Sequence, residues 1–502
     1  MTTVNSNDMR INNAKRLLDS LNGPGPNFDA YTYLGIGRPL PWSDLTDPSI
    51  DDSNPPTYKN NTQDFNNFYY QLISLKRLND VYGYTMASKY TWSSGIVYDM
   101  YRHDYSSKNS AVSGATDLYD ARFYVVTSTF DVYICLYNGV TPTNTTGNVS
   151  TVEPIGNNPE PFETSDGYIW LYIYTIPQNI REFITTNHIP IDRNYTSTPT
   201  PGEINSIVID TVGTNYTSLP AGLSDPLPYY YCRVVGDGEG CVARVQVTNG
   251  SISKIEVVEP GVNYTYAKLD FTGGNVYKSA EDLASNSNGL NPLGDGNFNS
   301  TCIISPPGGW GYDLTRQLGA TTVGLFGDLD MNINDFINDI TFRQVGIVQN
   351  LEFSDIEFQN NSTLSGHYAV RLESFSGPGF TLLETINQTV EINGVNKIAK
   401  GTVIGWDSST GILRYIQDPN IHTTTDGNMY LFADSNNILG ESSNTIGSVD
   451  TTSIIEEGLL FANGYATPEI KRFSGDLIYI SNIQPIQRDP DQTESIAILI
   501  RY

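Results

Sequence analysis

The sequence is poor in the residues that carry most metal and thiol chemistry. In 502 residues it has only four cysteines and four histidines. The cysteines form no Cys-x-x-Cys pair and are Cys135, Cys232, Cys241 and Cys302. The histidines form no His-x-x-x-His pair and are His103, His188, His367 and His422. A zinc site is therefore not predicted. A disulfide between Cys232 and Cys241 stays open, but cysteines used as small hydrophobic residues are the favoured interpretation.

Basic residues and long apolar runs are also scarce. Lys and Arg number 28 against 55 Asp and Glu, which gives a formal net charge of −27. A surface this acidic repels phosphate, so neither nucleic acid nor an anionic membrane is expected as a partner. No run reaches the roughly 18 apolar residues of a membrane span. The first residues lack the basic and apolar regions of a signal peptide, which predicts synthesis in a cytoplasm.

The usual signatures of catalysis and cofactor binding are missing as well. The sequence contains no Gly-x-Ser-x-Gly motif and no P-loop. Gly35-Ile36-Gly37 follows a predicted strand, but prolines come next instead of the helix that a dinucleotide site needs. The adjacent carboxylates Asp51-Asp52 and Glu456-Glu457 are interpreted as solvated charge. A glycosidase role stays open, because the two catalytic carboxylates of a glycosidase need to be close only in the folded structure and not in sequence. We therefore predict no enzyme, no catalytic residue and no cofactor.

One segment has the oxygen spacing of a calcium loop. Asp328-Leu-Asp-Met-Asn-Ile-Asn334 places an oxygen-bearing side chain at every second position. An EF-hand also needs glycine at position six and glutamate at position twelve, where this chain has Ile333 and Asp339. A polar strand or loop is the favoured interpretation, no metal site is predicted, and calcium near Asp328 stays an open question.

The residues that are present predict a mainly β (α+β) protein with several domains. Hydrophobic residues make up 39 % of the chain, and 33 of its residues are tyrosine, which suits both strands and interfaces. Residues 9–21 form an amphipathic helix on the spacing of four apolar residues, Ile11, Ala14, Leu18 and Leu21. A second helix is predicted at Phe68–Asn79, after an acidic loop at 43–66.

Alternating apolar residues predict most of the strands. Residues 121–137 form two strands, and a third follows the turn residues Asp166-Gly167. At the end of the chain, alternation predicts two strands, Leu477–Ile480 and Ile496–Ile500, with Ile498 buried. Pro485 and Pro490 cannot continue a ladder between them, because proline lacks a donor. We expect these strands to complete a sheet begun before residue 200.

The middle of the chain contains a near-repeat. Ile207-x-Ile-x-x-x-Gly213-Thr-Asn-Tyr-Thr and Ile255-x-Val-x-x-x-Gly261-Val-Asn-Tyr-Thr lie 48 positions apart (213 and 261). Between the copies, an alternating strand leads to Asn249-Gly250, a favoured hairpin turn. This pattern predicts a duplicated β module at 203–275 whose two copies share one core. A second inserted β-barrel-like module is predicted at 360–465, where two strands flank a turn at Asp407–Gly411.

Several segments resemble the baseplate wedge subunits of contractile-tailed bacteriophages. They are Tyr31-Thr-Tyr-Leu-Gly-Ile-Gly-Arg-Pro-Leu-Pro-Trp42, Asp166-Gly-Tyr-Ile-Trp-Leu-Tyr-Ile-Tyr-Thr-Ile-Pro177, Gly309-Trp-Gly-Tyr312, Phe342-Arg-Gln-Val-Gly-Ile-Val348 and Ile478-Tyr-Ile-Ser-Asn-Ile-Gln-Pro-Ile486. The likeness covers a little over half of the chain, at roughly 1–200, 300–350 and 470–502. Both predicted insertions lie outside it, and no partner-binding residue can be transferred to them.

The resemblance implies a structural protein of the phage tail. It implies a virion location, other baseplate wedge proteins as partners, a homodimer, and a role in tail assembly and infection-triggered rearrangement. The expected domains are 1–202 and 276–359 as parts of the main body, 203–275 and 360–465 as inserted modules, and 466–502 as the closing strands.

The alternative function is that of a carbohydrate-binding or depolymerising tail protein that contacts host glycans. Such a protein needs exposed, coplanar Trp or Tyr side chains in a groove. A scaffold instead buries aromatic residues such as Trp170 and Trp406 in cores or interfaces.

Overall fold

The computed structural model describes residues 6–21, 31–44, 49–78, 83–219, 229–329, 340–352, 363–433, 436–488 and 494–502. The structure is 42 % strand and 11 % helix, which confirms the mainly β fold class. No helix within these ranges is long and apolar enough to cross a bilayer. The chain divides into two compact units: Met1–Ala14, Tyr84–Thr322 and Arg501–Tyr502 form the first, and Lys15–Gly83 and Val323–Ile500 form the second.

The helices are short. The α-helices are α1 Asn7–Ser20, α2 Thr62–Tyr70, α3 Ala280–Ala284, α4 Leu314–Gln317 and α5 Pro419–His422. Single 3₁₀ segments lie at Trp42–Asp44, Leu118–Asp120 and Gln178–Phe183.

The strands run through the whole chain. The first eight are β1 Thr32–Gly37, β2 Leu72–Leu78, β3 Gly83–Ser88, β4 Tyr124–Val126, β5 Asp131–Tyr137, β6 Phe162–Glu163, β7 Ile169–Thr175 and β8 His188–Pro190. The next seven are β9 Ile204–Thr211, β10 Tyr229–Gly236, β11 Val242–Thr248, β12 Ser251–Glu259, β13 Ala267–Leu269, β14 Val276–Tyr277 and β15 Asn299–Ile304.

The second half of the chain adds fourteen strands. They are β16 Thr322–Leu329, β17 Thr341–Gln349, β18 Thr363–Ser365, β19 Tyr368–Ser376, β20 Thr385–Ile392, β21 Val395–Asp407, β22 Ile412–Ile416, β23 Ile438–Gly440, β24 Ile446–Val449, β25 Ile454–Glu456, β26 Leu459–Phe461, β27 Tyr465–Ala466, β28 Asp476–Gln487 and β29 Glu494–Arg501.

The first predicted helix is confirmed and the second is wrong over most of its length. All four apolar residues that predict α1 are buried. In the second case α2 ends at Tyr70, and Leu72–Leu78 is a strand. Leu72, Ile73 and Leu75 are all fully buried. A strand that is buried on both faces loses its alternation, so its sequence cannot be told from a buried helix by periodicity.

The first unit contains a four-stranded antiparallel sheet and a separate β module. The sheet has the order β4-β5-β7-β6 and includes all three strands predicted from 121–137 and from the Asp166-Gly167 turn. Trp170 in β7 is fully buried, and its ring stacks on Tyr168 at 5.3 Å. The β module has the strand order β12-β11-β10-β13, with β14 also on β10 and with β9 paired to β15.

The near-repeat is visible in the backbone of this module. Gly213 and Asn215 follow β9, Gly261 and Asn263 follow β12, and all four have φ between +61° and +65°. The tyrosine after each asparagine, Tyr216 or Tyr264, is buried in the shared core. Each copy therefore ends its strand in the same left-handed turn. The core also includes Cys302 and Ile304, beyond the predicted boundary at 275.

The second unit contains a five-stranded sheet with the order β18-β2-β1-β17-β28. β28, near the end of the chain, pairs with β17, which pairs with β1. The expectation that Leu477–Ile480 completes a sheet begun before residue 200 is confirmed. β29 neighbours β16, and Ile498 is 4 % exposed as predicted.

Pro485 does not end its strand, contrary to the prediction. β28 runs to Gln487, and its register against β17 shifts between the pairs Phe342↔Ile486 and Gln344↔Asn482. Pro485 lies within this irregular stretch of a strand at the end of the sheet order, where a missing N–H donor is tolerated.

The predicted barrel is confirmed. Six strands close into a ring in the order β22-β21-β20-β23-β24-β19, because β19 also pairs with β22. The predicted turn at Asp407–Gly411 joins β21 to β22, and Asp407 accepts the Ser409 N–H at 2.8 Å. The barrel encloses an apolar core that includes Ile386 and Val390 of β20, and Gln388 is buried between these two positions. A small hairpin of β25 and β26 packs Phe461 against Ile412.

Candidate functional site

Three of the sequence segments quoted above lie side by side in the second unit. Tyr31–Trp42 supplies β1, Phe342–Val348 lies in β17, and Ile478–Ile486 lies in β28. β17 is the central strand of the three, with six pairs to β1 and eight to β28. Segments separated by up to about 450 residues of sequence thus form one hydrogen-bonded surface.

A buried arginine ties these segments together. Arg343 in β17 makes a bidentate pair with Asp52, at 2.8 Å from Nε and 2.7 Å from Nη2. Its Nη1 donates to the Pro39 carbonyl at 2.6 Å. Asp52 also accepts the Trp42 N–H, and the Trp42 indole donates to the Ile483 carbonyl. The hydrogen bonds from Arg343 lower the pKa of Asp52. Asp52, whose side chain is 35 % exposed, is therefore an ion-pair partner and not merely a solvated charge.

A second arginine sits on the tryptophan. Arg38 has φ +52°, and its guanidinium lies 4.2 Å from the centre of the Trp42 ring, as in a cation–π contact. Its Nη1 donates to Gln71 Oε1 at 2.9 Å and its Nη2 to the Pro41 carbonyl at 3.0 Å. Positive φ at a non-glycine residue costs about 1–2 kcal/mol, which these contacts offset. The Gly-Arg-Pro-x-Pro-Trp run is thus an ordered turn.

Arg38, Trp42 and Gln71 help to line a cavity of about 170 Å³. Its walls come from the turn, from the segment 50–59, from α2, and from β17 and β28. The lining residues are Arg38, Trp42, Ile50, Pro56, Thr57, Tyr58, Lys59, Asp64, Asn67, Gln71, Gln344 and Asn482. A space of this size accommodates one side chain or a few waters.

A chain of hydrogen bonds leads from this turn to the barrel. Gln71, whose Oε1 faces Arg38, donates from Nε2 to Asp418 Oδ2 at 2.6 Å. The Asp418 N–H donates to His422 Nδ1 at 2.8 Å, and His422 Nε2 lies 2.9 Å from Thr402 Oγ1. Between 0 % and 7 % of each of these five residues is exposed. We call Gln71, Asp418, His422 and Thr402 the polar bridge.

The hydrogen bonds define the protonation state of His422. A backbone N–H can only donate, so Nδ1 is unprotonated, and in the neutral ring Nε2 carries the proton and donates to Thr402. Burial is the main cause that lowers the pKa of His422, to about 4. The nitrogen that faces the hydroxyl is already protonated. His422 therefore cannot take the Thr402 proton as a general base would.

In the other histidine–hydroxyl pair of the described residues, the ring nitrogen nearer to the hydroxyl also carries the proton. His367 Nδ1 lies 2.8 Å from the Ile73 carbonyl, which can only accept, so Nδ1 carries the proton. Nδ1 is also the ring nitrogen nearer to Ser365 Oγ, at 3.1 Å against 3.5 Å for Nε2. Burial lowers the pKa of His367 to about 3. Neither pair has the arrangement of a nucleophile and its base.

Other residues that the sequence singles out have structural contacts. The four cysteines are buried thiols, and burial raises the pKa of Cys241 to about 12. Glu456 pairs with Arg371 and Glu457 with Arg414, so these carboxylates are not merely solvated. Across the described part of the chain, no cluster of three His, Cys, Asp or Glu side chains could hold a metal. The side chains of the candidate calcium loop from Asp328 lie outside the described residues.

None of the five tryptophans is an exposed platform. Trp42 and Trp170 are buried, and the other three, Trp92, Trp310 and Trp406, are partly buried. Trp406 packs edge-on against Phe375 and Phe380 at the barrel end. The exposed aromatic residues include Tyr266 and Tyr312, each 66 % exposed.

Sequence reasoning singled out the Gly-Arg-Pro-x-Pro-Trp run without predicting its turn, and it missed the polar bridge. The two prolines and the glycine of this run are the local signal that could have predicted a turn. Gln71 and Asp418 are 347 positions apart, and neither belongs to a motif. Comparison of the sequence with protein-family models and with curated proteins gives no match.

Proposed function

We propose that this chain is a structural subunit of a phage tail baseplate wedge. It joins neighbouring wedge proteins, as part of the virion, and supports tail assembly and the rearrangement that infection triggers. One observation carries the proposal: three segments whose sequences resemble wedge subunits lie as adjacent strands of one sheet. They also share one set of side-chain contacts, centred on the pair of Arg343 and Asp52. The segments that resemble that family thus coincide with adjacent strands of one sheet.

The chemistry of the second unit supports a scaffold without catalysis. Its buried charged groups contact other protein groups: Arg343 binds Asp52, and Arg38 binds Gln71. Both histidine–hydroxyl pairs have a ring proton on the side that faces the hydroxyl. Such networks hold elements in register and fix one arrangement of the chain.

The placement of the aromatic residues favours the scaffold over a glycan-binding protein. Sugar rings stack on exposed, flat aromatic faces, whereas the Trp170 ring is fully buried against Tyr168. A glycan array probed with the purified chain separates the two functions, because saturable binding that Tyr266→Ala or Tyr312→Ala abolishes would favour the glycan-binding function.

Localisation on the particle is the direct test. Antibodies against the purified chain should label the baseplate of contractile-tailed particles that contain it, seen by negative-stain microscopy. Label on the head, on the tail tube alone, or on no particle would refute the wedge assignment.

The proposed partners are other baseplate wedge proteins and a second copy of this chain. Sedimentation velocity at micromolar concentration is expected to show a dimer of twice 55.4 kDa. A monomer at all concentrations, and in mixtures with other wedge proteins, would contradict the dimer and leave the wedge role to the labelling experiment.

A further inference from the structure

We propose that the polar bridge is a proton-sensitive latch that holds the barrel against the five-stranded sheet and opens when His422 takes up a proton. Such a latch would make the second unit respond to acid, whether or not the chain is a wedge subunit. It rests on the hydrogen bonds around His422 and on the position of Gln71 between the two elements.

The latch joins two elements that are distant in sequence. On the sheet side, Gln71 follows α2 and precedes β2, and it is held by Arg38. On the barrel side, Asp418 precedes α5 and accepts from the Asn420 N–H at 2.9 Å as the helix cap. A second hydrogen bond runs beside the first, from Asn420 Nδ2 to Asn67 Oδ1 in α2, at 2.8 Å. Both contacts depend on the position of α5.

Protonation of His422 breaks this arrangement for a geometric reason. The Nδ1 lone pair accepts the Asp418 N–H, so a proton on Nδ1 would place two hydrogens against each other. The new N–H then needs an acceptor. The nearest negative group is the Asp418 carboxylate, whose Oδ2 is bound to Gln71. A carboxylate that turns toward the imidazolium gives up the Gln71 contact and releases the sheet side of the bridge.

Few other charges face His422. The Asp418 carboxylate favours the protonated ring, and Lys400 of β21, the neighbouring barrel strand, disfavours it. Thr402, on the same strand, is neutral. Burial outweighs the carboxylate, and this lowers the pKa of His422 to about 4 in the closed state. An opened, hydrated ring returns toward its ordinary value of about 6.5.

These values define the pH window. Because the closed state has the lower pKa, the open state binds the proton first. Closure is therefore fully favoured above about pH 6.5 and weakens progressively as the pH falls toward 4. The opening is local, because the strands of the barrel and of the sheet keep their own ladders.

Hydrogen exchange of the full chain at pH 7.0 and pH 4.5 tests the latch. We call the contact between the barrel and the five-stranded sheet the seam. After correction for intrinsic exchange rates, the amides at this seam should exchange up to about 60-fold faster at pH 4.5 than at pH 7.0, as pKa values of about 4 in the closed state and about 6.5 in the open state imply. The reporters are the N–H groups of Arg38, Ile421 and His422, which have backbone acceptors in the closed state. Amides of β1, β17 and β21 should be accelerated much less. Equal acceleration of all these amides would mean global unfolding and overturn the proposal.

Two variants and a control assign the effect. His422→Asn keeps an oxygen acceptor for the Asp418 N–H but does not titrate, so it should abolish the acceleration. Gln71→Leu removes the hydrogen bond to Asp418, so the amides at the seam should exchange fast already at pH 7.0. His188→Asn, which removes a partly buried histidine of the first unit, should behave like the unmodified chain. Acceleration that persists in His422→Asn would refute the latch.

The unmodified chain gives an independent measurement in case a variant does not fold. Histidine-labelled NMR resolves at most four imidazoles. The midpoint of one of these titrations, assigned to His422 by its loss in the variant or by its slow solvent exchange, must coincide with the midpoint of seam opening. A His422 that titrates without seam opening would equally refute the proposal.

Discussion

Gly261→Ala tests whether the near-repeat encodes the turn geometry of the duplicated module. Gly261 has φ +65°, and a Cβ built there would lie 2.5 Å from the Cys241 nitrogen and 2.7 Å from the Glu239 carbonyl oxygen. Both contacts are with backbone, which cannot rotate away. The left-handed backbone costs alanine about 1–2 kcal/mol, and overpacking adds about 1–3 kcal/mol. We expect a total loss of about 2–5 kcal/mol in local stability.

Two matched variants separate the backbone cost from the packing cost. Gly296 has φ +74° and no atom within 4 Å of a built Cβ, so Gly296→Ala should lose only about 1–2 kcal/mol. At Gly213 the closest contact, at 2.6 Å, is with the Tyr216 ring, and the nearest backbone atom, the Phe298 nitrogen, lies farther away at 3.0 Å. A side chain can shift, and Gly213→Ala should therefore lie between the other two.

Native-state hydrogen exchange of β10, β11 and β12 in the full chain measures the free energy of local opening. The expected order of loss is Gly261→Ala, then Gly213→Ala, then Gly296→Ala. Equal losses at Gly261 and Gly296 would show that the second copy of the motif has no special packing, and the repeat would then be a coincidence of sequence.

Two further predictions concern buried groups in the second unit. Ile498→Asp should expose β16 to protease through a loss of several kcal/mol, whereas Leu499→Asp, on the 36 % exposed neighbour, should have little effect. His367 has a folded pKa of about 3 against about 6.5 when unfolded, so the unfolded chain binds the proton first. Stability should be complete above pH 6.5 and fall by up to about 5 kcal/mol toward pH 3, while His367→Gln should flatten this part of a pH series of urea unfolding curves. A variant that keeps the full pH dependence would contradict this account.

The sequence predicted strands well where one face is buried and the other is wet. β11 was found because its buried apolar residues alternate with partly exposed ones, and β7 and β21 were found because a turn signal marks one end of each. β2 was missed because Leu72, Ile73 and Leu75 are buried on both faces, which removes the alternation. The barrel was inferred from one hairpin, whereas its closure depends on the pairing of β19 with β22, which local patterns do not specify.

The buried polar contacts lay beyond sequence reasoning for a physical reason. Arg343 and Asp52 are 291 positions apart, and each is an ordinary charged residue in its local context. Asp51 and Asp52 look alike in sequence, yet Asp51 caps the turn before Asn54 while Asp52 faces the guanidinium. The role of His422 follows from which atom faces the Asp418 N–H. Such facts arise only when distant elements pack.

The pairing of the first and last strands of the barrel segment has a consequence for folding. Ala369 in β19 lies opposite Ala466 in β27, so the chain enters and leaves the barrel at neighbouring points. β17 ends at Gln349 and its partner β28 begins at Asp476, 127 positions later. A barrel that forms first shortens the effective loop to about 30 residues and lowers the entropic cost of closing it by about 1.3 kcal/mol. The folded insertion would then add little to the entropic cost of pairing the strands that it separates in sequence, and its deletion would not be needed for rapid folding.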